Sequence, residues 1–176
     1  MSIGGRSAPD GPAVGSTPGE PVAGPSAVAT GVLRTKVQWI DTDASGIYHN
    51  TTVARFVEAA EAALFADRGI DGYFPVAPRV RYEASFDAPL RFGQDITAVV
   101  ELAELGERSM TFHFEIWGDP FGGRPRVRAA HGRYVTVHVT GQPDADLRSA
   151  PWPAAWVAAL TDASEEPGPD PAQSPG

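Results

Sequence analysis

The 176-residue sequence contains no cysteine and no hydrophobic run near the length of about 20 residues that a membrane-spanning helix needs. Without cysteine, disulfide bonds, thiolate nucleophiles and cysteine-ligated zinc sites are excluded. The N-terminus also lacks the basic segment followed by an apolar stretch that marks a secretory signal peptide. We therefore expect a soluble, cytoplasmic protein with no membrane partner.

Positive charge is scarce, because 14 lysine and arginine residues face 22 acidic ones and the net charge is −8. Such a chain has no overall field for nucleic acid, although a local basic stripe could hold one phosphorylated ligand. Gly-x-Ser-x-Gly, phosphate-loop and dinucleotide-binding patterns are absent, which disfavours serine-triad hydrolases and nucleotide enzymes. His113, His131 and His138 have no partner at metal-ligand spacing, so we expect no metal site and no cofactor.

Both ends of the chain have compositions typical of disorder. Residues 1–30 hold five prolines and six glycines with almost no large apolar side chain, and residues 161–176 hold four prolines and four acids. Neither segment can bury enough apolar surface to offset the entropy lost on ordering. We expect disordered tails at 1–30 and 161–176 around one folded domain at 31–160.

Hydrophobic periodicity within this domain predicts one strand, one long helix and then several strands. Leu33 to Ile40 reads as the first strand, and apolar residues at helical spacing from Val53 end at Gly69, which is suited to a helix C-terminus. Alternating segments follow near 76–86, 96–102, 110–117 and 126–140, and Trp152 to Leu160 forms a short closing helix. Hairpin-length links imply antiparallel pairing, so the fold class is α+β.

The helix is predicted to be amphipathic, with its apolar face against the sheet. Glu58 and Glu61 fall on the opposite face, where we expect solvated carboxylates and a local ion pair between Arg55 and Glu58. Asn50, Thr51 or Thr52 can supply a side-chain N-cap.

Between the first strand and the helix lies an acidic loop, Asp41-Thr42-Asp43-Ala44-Ser45-Gly46-Ile47-Tyr48-His49-Asn50. This connection can place a carboxylate near the free backbone N–H groups of a helix N-terminus, which stabilise negative charge. A carboxylate in such a position is a candidate for catalysis, as a base or as a nucleophile. The structural alternative for Asp43 is that it caps the local turn. For Asp41, we expect a role in positioning the loop, not a direct role in catalysis.

This loop, followed by Arg55-Phe56-Val57-Glu58-Ala59-Ala60, resembles the hotdog-fold thioesterases, in the branch that includes 4-hydroxybenzoyl-CoA thioesterase. The resemblance implies a hotdog fold, with one long central helix wrapped by a curved antiparallel sheet of about five strands. It also implies a homodimer, or a homotetramer, that binds acyl-CoA or an acyl carrier protein thioester at the subunit interface. The expected activity is hydrolysis of this thioester to a free acid and a thiol.

The resemblance also assigns roles to residues. Asp43 matches the catalytic acid, as general base or nucleophile, and backbone N–H groups near Asn50 would bind the oxyanion. His49 stands one residue before the position that is a histidine or tyrosine in many relatives, so its catalytic role stays open. The remaining substrate-site candidates are Gly46, Tyr48, Glu58, Arg108 and Ser109, and the acyl pocket would be lined by Tyr48, Phe56, Tyr82 and Phe86.

Two other functions remain open for the same fold. The groove could hold an acyl-CoA without hydrolysing it, as a sensor or scaffold, or the protein could be a hydratase or dehydratase of acyl thioesters. Alternating Arg124, Arg126 and Arg128 could grip a CoA phosphate, but charged residues that protect a sheet edge are the more common explanation.

Overall fold

The structure is a computed structural model that describes residues 29–141 and 146–161. The tails predicted at 1–30 and 161–176 lie outside the described residues, apart from Ala29, Thr30 and Thr161. In the described part of the chain, no helix is long and apolar enough to cross a membrane.

Five strands form one antiparallel sheet in the order β1-β3-β4-β5-β2. They are β1 (Thr30–Lys36), β2 (Arg79–Phe86), β3 (Asp95–Leu105), β4 (Ser109–Gly118) and β5 (Val127–Val137). Helix α1 (Thr52–Asp67) connects β1 to β2, and helix α2 (Ala154–Thr161) closes the described part. A small hairpin pairs β6 (Val139–Thr140) with β7 (Arg148–Ser149), and 3-10 turns occupy Trp39–Asp41 and Phe74–Val76.

Helix α1 packs across β1, β3 and β4, and its buried apolar side chains form the core with those of the sheet. The alternation read from the sequence holds in the two central strands, since every second residue is buried from Ile96 to Leu102 and from Met110 to Ile116. The predicted α+β architecture, one long helix against five antiparallel strands, is therefore confirmed.

The first strand ends earlier than its apolar pattern predicts. β1 stops at Lys36, and Trp39 and Ile40 lie in a 3-10 turn with both side chains exposed. The cause is Asp41, whose carboxylate accepts a hydrogen bond from the Gln38 backbone N–H at 2.8 Å and turns the chain back on itself. The predicted strand from Leu33 to Ile40 is therefore too long at its C-terminal end.

Glu61 contradicts the predicted solvated face of α1, because its side chain is buried. Its carboxylate accepts a hydrogen bond from the Tyr73 hydroxyl at 3.0 Å and forms an ion pair with Arg79. Burial raises the pKa of Glu61, and the neighbouring Arg79 charge offsets part of that effect. Glu58 is exposed as expected, but Arg55 pairs with Asp41, not with Glu58.

Candidate functional site

The acidic loop is fixed to the start of α1 by its first aspartate. Asp41 is buried, and its two carboxylate oxygens bind different groups: one accepts from the Gln38 N–H, the other pairs with Arg55 of α1. The Asp41 carbonyl oxygen accepts the His49 N–H at 2.8 Å and the Thr52 hydroxyl at 3.2 Å. Asp41 thus joins both ends of the loop to the helix, which agrees with a positioning role.

Asp43 has the opposite environment, because its side chain is exposed and bound on one oxygen only. Its Oδ1 accepts hydrogen bonds from the Ser45 N–H at 2.8 Å, the Ser45 hydroxyl and the Ile47 N–H at 3.4 Å. Among the described residues, no group donates to its Oδ2. The Ser45 hydrogen bonds lower the pKa of Asp43 below its ordinary value of 3.8, and a nearby His49 charge adds to this.

Gly46 makes the tight turn that this arrangement requires. Its φ of 73° lies in the left-handed region that glycine adopts without strain, as predicted for the loop. Its N–H donates to the Asp43 carbonyl oxygen at 2.9 Å, and its own carbonyl oxygen accepts from the Phe92 N–H at 3.2 Å. The turn therefore holds the Asp43 carboxylate outward while it links the loop to the β2–β3 connection.

The N-terminus of α1 leaves backbone donors available. The Thr52 N–H donates to the His49 carbonyl oxygen and the Val53 N–H to that of Asn50, whereas those of Asn50 and Thr51 have no acceptor in the described part of the chain. The side-chain cap predicted from Asn50, Thr51 or Thr52 is absent: Thr51 occupies the N-cap position without a capping hydrogen bond. Two unsatisfied N–H groups at a helix N-terminus favour an anion.

A groove of about 270 Å³ lies beside these donors, between the acidic loop and the end of β2. Its walls are Ile47, Tyr48, Asn50, Phe86, Asp87, Ala88 and Pro89. Tyr48 is buried, and its hydroxyl donates to the Ala129 carbonyl oxygen at 3.3 Å, so its ring forms a fixed wall. The groove is thus mainly apolar, with Asn50 at one side and a carboxylate, Asp87, at another.

The structure brings only some of the predicted site residues together. Tyr48, Asn50 and Phe86 line the groove, and His49 is exposed in the same loop. Phe56 is wholly buried in the core, so it cannot contact a substrate in the groove. Glu58 is exposed on α1 and lies 3.7 Å from Arg79.

Arg108 and Ser109 lie elsewhere. Ser109 begins β4 opposite Val137 and Arg108 directly precedes it, whereas the groove adjoins the other end of the sheet, where Phe86 pairs with Ala130. Arg108 lies 3.5 Å from Glu107, and its carbonyl oxygen accepts the His138 N–H. Within one chain, these two residues are therefore not part of the groove.

Asp87 lines the groove, although no sequence motif points to it. Its carboxylate lies 2.8 Å from His131 Nδ1 and 3.0 Å from Arg128 Nε, both on β5. Desolvation opposes its charge, but hydrogen bonds from these two residues prevail and lower the pKa of Asp87. Because His131 is 44 residues away in sequence, no local motif could have revealed the pair.

His138 and two of the three alternating arginines, Arg126 and Arg128, are held by contacts within the chain. His138 is buried, and its Nδ1 lies 2.7 Å from the Pro151 carbonyl oxygen. Across residues 29–141 and 146–161, no group of histidine and acidic side chains is placed to hold a metal. Arg126 lies 3.5 Å from Asp119 and Arg128 3.0 Å from Glu115, so both are held in ion pairs, whereas Arg124 lies in the turn before β5.

Comparison with known proteins supports the resemblance seen in the motif. The family model described as Thioesterase superfamily matches residues 45–120. No curated protein sequence matches the chain.

Solved structures show the same fold. The 4-hydroxybenzoyl-CoA thioesterase from Pseudomonas sp. strain CBS-3 has a TM-score of 0.67 at 17% identity, over 74% of this chain and 99% of that one. A 1,4-dihydroxy-2-naphthoyl-CoA thioesterase from Synechocystis has a TM-score of 0.67 at 16% identity, over 78% and 99%. A predicted thioesterase from Bacillus stearothermophilus has a TM-score of 0.64 at 26% identity, over 80% and 100%.

These matches agree with the predicted enzyme class, a thioester hydrolase. The α+β fold predicted from the sequence is the hotdog fold of these structures, and the predicted resemblance to hotdog-fold thioesterases is confirmed.

Proposed function

We propose that this protein is a thioesterase that hydrolyses an acyl-CoA, or an acyl carrier protein thioester, to a free acid and a thiol. The observation that carries the proposal is the Oδ2 of Asp43, which accepts no hydrogen bond from the described residues. It lies in a loop that leads directly to the Asn50 and Thr51 N–H groups, which have no acceptor among those residues either. Structures with the same fold include thioesterases that, by name, act on CoA thioesters, which supports this substrate class.

In the proposed reaction, the carbonyl oxygen of the thioester binds at the Asn50 and Thr51 N–H groups. Asp43 either removes a proton from a water molecule that attacks the carbonyl carbon, or attacks that carbon itself to form an anhydride that water then opens. The carbon–sulfur bond breaks, and sulfur leaves as the thiolate, which takes up a proton. The helix N–H groups stabilise the negative oxygen that forms during attack.

The electrostatics of Asp43 fit this role at neutral pH. Because the Ser45 hydrogen bonds lower its pKa, the carboxylate is ionised there and able to act. Its basicity is correspondingly modest, so its contribution depends on being held at the reacting carbon. The bonds from Ser45 and Ile47 to Oδ1 restrict the carboxylate while they leave Oδ2 for the reaction.

We further propose a homodimer that completes the groove. Helix α1 crosses β1, β3 and β4, whereas β2 is an edge strand that leaves Val80, Tyr82 and Phe86 at 60, 37 and 45% exposure. Such an apolar edge is a liability for a monomer, and covering it with a second copy removes this liability. Because Phe86 also lines the groove, the partner chain would lie against the bound acyl group.

The central test is Asp43→Asn, which keeps the size of the side chain and removes its charge. We expect kcat for a reactive acyl-CoA to fall by about 10²–10⁴-fold, the usual contribution of a general base, while binding of CoA is unchanged. Asp71→Asn, at another exposed aspartate, is the matched control and should retain activity. Thiol release at the parental rate from Asp43→Asn would exclude Asp43 as the catalytic acid.

A non-catalytic acyl-CoA-binding protein is the second candidate, because Oδ1 of Asp43 is already used to hold the turn. The two functions separate in one measurement. A panel of short, long and aromatic acyl-CoAs is incubated with the protein, and both binding and free thiol are followed. Binding without thiol release over hours would favour the sensor or scaffold, and loss of an enoyl chromophore without thiol release would indicate a hydratase.

A further inference from the structure

A second cavity, of about 240 Å³, lies on the far side of Ala88 and Pro89 from the groove. These two residues line both spaces, so the cavity and the groove share a wall. The cavity lies between the β2–β3 connection and the turn that joins β4 to β5. Most of its wall is apolar, but two arginines, Arg91 and Arg124, also line it.

Neither arginine is neutralised by a carboxylate of the described residues. Most arginines of the described part pair with a carboxylate, but Arg91 and Arg124 form no ion pair there. Two arginines that line one small cavity concentrate positive charge there, and this charge favours an anionic ligand. A planar guanidinium binds carboxylate or phosphate through two parallel hydrogen bonds, so the pair is suited to an oxyanion.

The turn before β5 places Arg124 directly opposite Phe121. Phe121 and Arg124 exchange both backbone hydrogen bonds, at 3.1 and 3.0 Å, around Gly122 and Gly123. Both glycines have positive φ, 57° and 79°, as a tight two-residue hairpin turn requires. Directly paired residues of a hairpin project to the same side, so Phe121 and Arg124 both face the cavity they line.

Gln94 connects the two halves of this site. Its side-chain amide donates to the Asp119 carbonyl oxygen at 2.8 Å, and its side-chain oxygen accepts the Arg91 N–H at 3.1 Å. The side chain is buried, and a Cβ at Gly118 would lie only 2.6 Å from its nitrogen. The segment that carries Arg91 and the turn that carries Arg124 are therefore held in one arrangement before any ligand binds.

We propose that this cavity binds an anionic end of the acyl group, so that the preferred substrates are thioesters of acids with a second carboxylate. The inference rests on the proposed thioesterase function, since it takes the groove as the place of the thioester. The shared wall of Ala88 and Pro89 puts the cavity within reach of an acyl chain. The apolar walls would contact its carbon atoms, and Arg91 and Arg124 would donate hydrogen bonds to its carboxylate. A phosphate of the thiol carrier has the same chemistry but is separated from the thioester by the long pantetheine arm.

The test compares hexanoyl-CoA with adipoyl-CoA, which differ in a terminal methyl or carboxylate at the same chain length. We expect kcat/KM for adipoyl-CoA to be higher by about tenfold or more, the effect of one charge-assisted contact. Arg91→Gln combined with Arg124→Gln should lower the adipoyl value by about a hundredfold and leave the hexanoyl value within about twofold. Arg34→Gln, at an exposed arginine of β1 outside both spaces, is the matched control.

Each result has a defined meaning. An equal loss of kcat/KM for both substrates assigns the arginines to a carrier phosphate and overturns the proposal. Parental selectivity for adipoyl-CoA in the double variant also overturns it. Arg124→Gln alone, in an exposed turn, gives the same comparison if the double variant fails to fold. Calorimetric binding of free adipate against hexanoate needs no turnover: adipate binding that depends on the arginines supports the anion site even if no thioester is hydrolysed. Hydrolysis without adipate selectivity would refute this site and leave the proposed function standing.

Discussion

Replacing Arg79 by methionine should destabilise the protein in a pH-dependent way, because it leaves Glu61 charged and buried. The Glu61 side chain is 1% exposed, and without Arg79 it retains the hydrogen bond from the Tyr73 hydroxyl at 3.0 Å but no ion pair among the described residues. Removing one partner of a buried ion pair commonly costs about 3–5 kcal/mol. Methionine keeps most of the length of the side chain, so the change mainly removes charge.

The size of the effect is limited by protonation, because a carboxyl group that is too costly to keep charged takes up a proton. In the unfolded chain, Glu61 has its ordinary pKa of 4.5. Neutralising it costs about 1.4 kcal/mol for each pH unit above that value, hence about 3.4 kcal/mol at pH 7 and about 0.7 kcal/mol at pH 5. Since burial raises the folded-state pKa of Glu61, stability is fully present below 4.5 and is lost as the pH rises through the folded-state pKa.

The measurement is urea unfolding of the parent and Arg79→Met at pH 5 and pH 7. We expect a loss of about 3 kcal/mol at pH 7 and about 1 kcal/mol or less at pH 5. Adding Glu61→Gln to Arg79→Met should restore most of the lost stability at pH 7. Arg81→Met removes an exposed ion pair with Glu83 on the same strand and should leave the stability near the parental value at either pH. A loss for Arg79→Met that is equal at the two pH values would refute the reasoning.

Three further predictions concern other parts of the molecule. Gly132→Ala should cost about 1–3 kcal/mol in urea unfolding, because a Cβ there would overlap the Glu83 carbonyl oxygen and lie 2.7 Å from the Phe114 ring; parental stability would contradict this packing. Val80→Glu should shift the proposed dimer toward monomer in sedimentation, and an unchanged mass would exclude the β2 face as the contact. On the acid side, kcat/KM should be lost only below pH 3.8, since protonation of Asp43 removes activity as the pH drops through its lowered pKa. A loss of kcat/KM that already begins near neutral pH would point to a different group.

The fold could be predicted because its signals are local. Alternating burial in β3 and β4, the helical spacing of α1 and the glycine after Arg68 each depend on neighbours in sequence. The first strand was predicted too long for a reason of the same kind. The apolar pattern continues through Trp39 and Ile40, whereas the turn is made by a hydrogen bond to the Asp41 carboxylate. A hydrophobic pattern contains no information about such a bond.

The polar contacts could not be predicted, because their partners are distant in sequence. Glu61 lies on the polar side of α1 by periodicity, yet Tyr73 and Arg79, 12 and 18 residues later, provide the bonds that permit its burial. In the same way, Asp87 meets His131 only because β2 pairs with β5. A helical repeat describes which side chains share a face, but not whether a later segment will cover that face.

The two aspartates of the acidic loop have different roles: Asp41 holds the loop in place, and Asp43 is the proposed catalytic group. Asp41 uses both carboxylate oxygens and its carbonyl oxygen to bind Gln38, Arg55 and the start of α1, and it is buried. Its contacts set the position of the loop relative to the helix N-terminus, and therefore the position of Asp43 relative to the Asn50 and Thr51 N–H groups. Since a carboxylate of low basicity gains most of its effect from placement, the first aspartate supports the proposed reaction without touching the substrate.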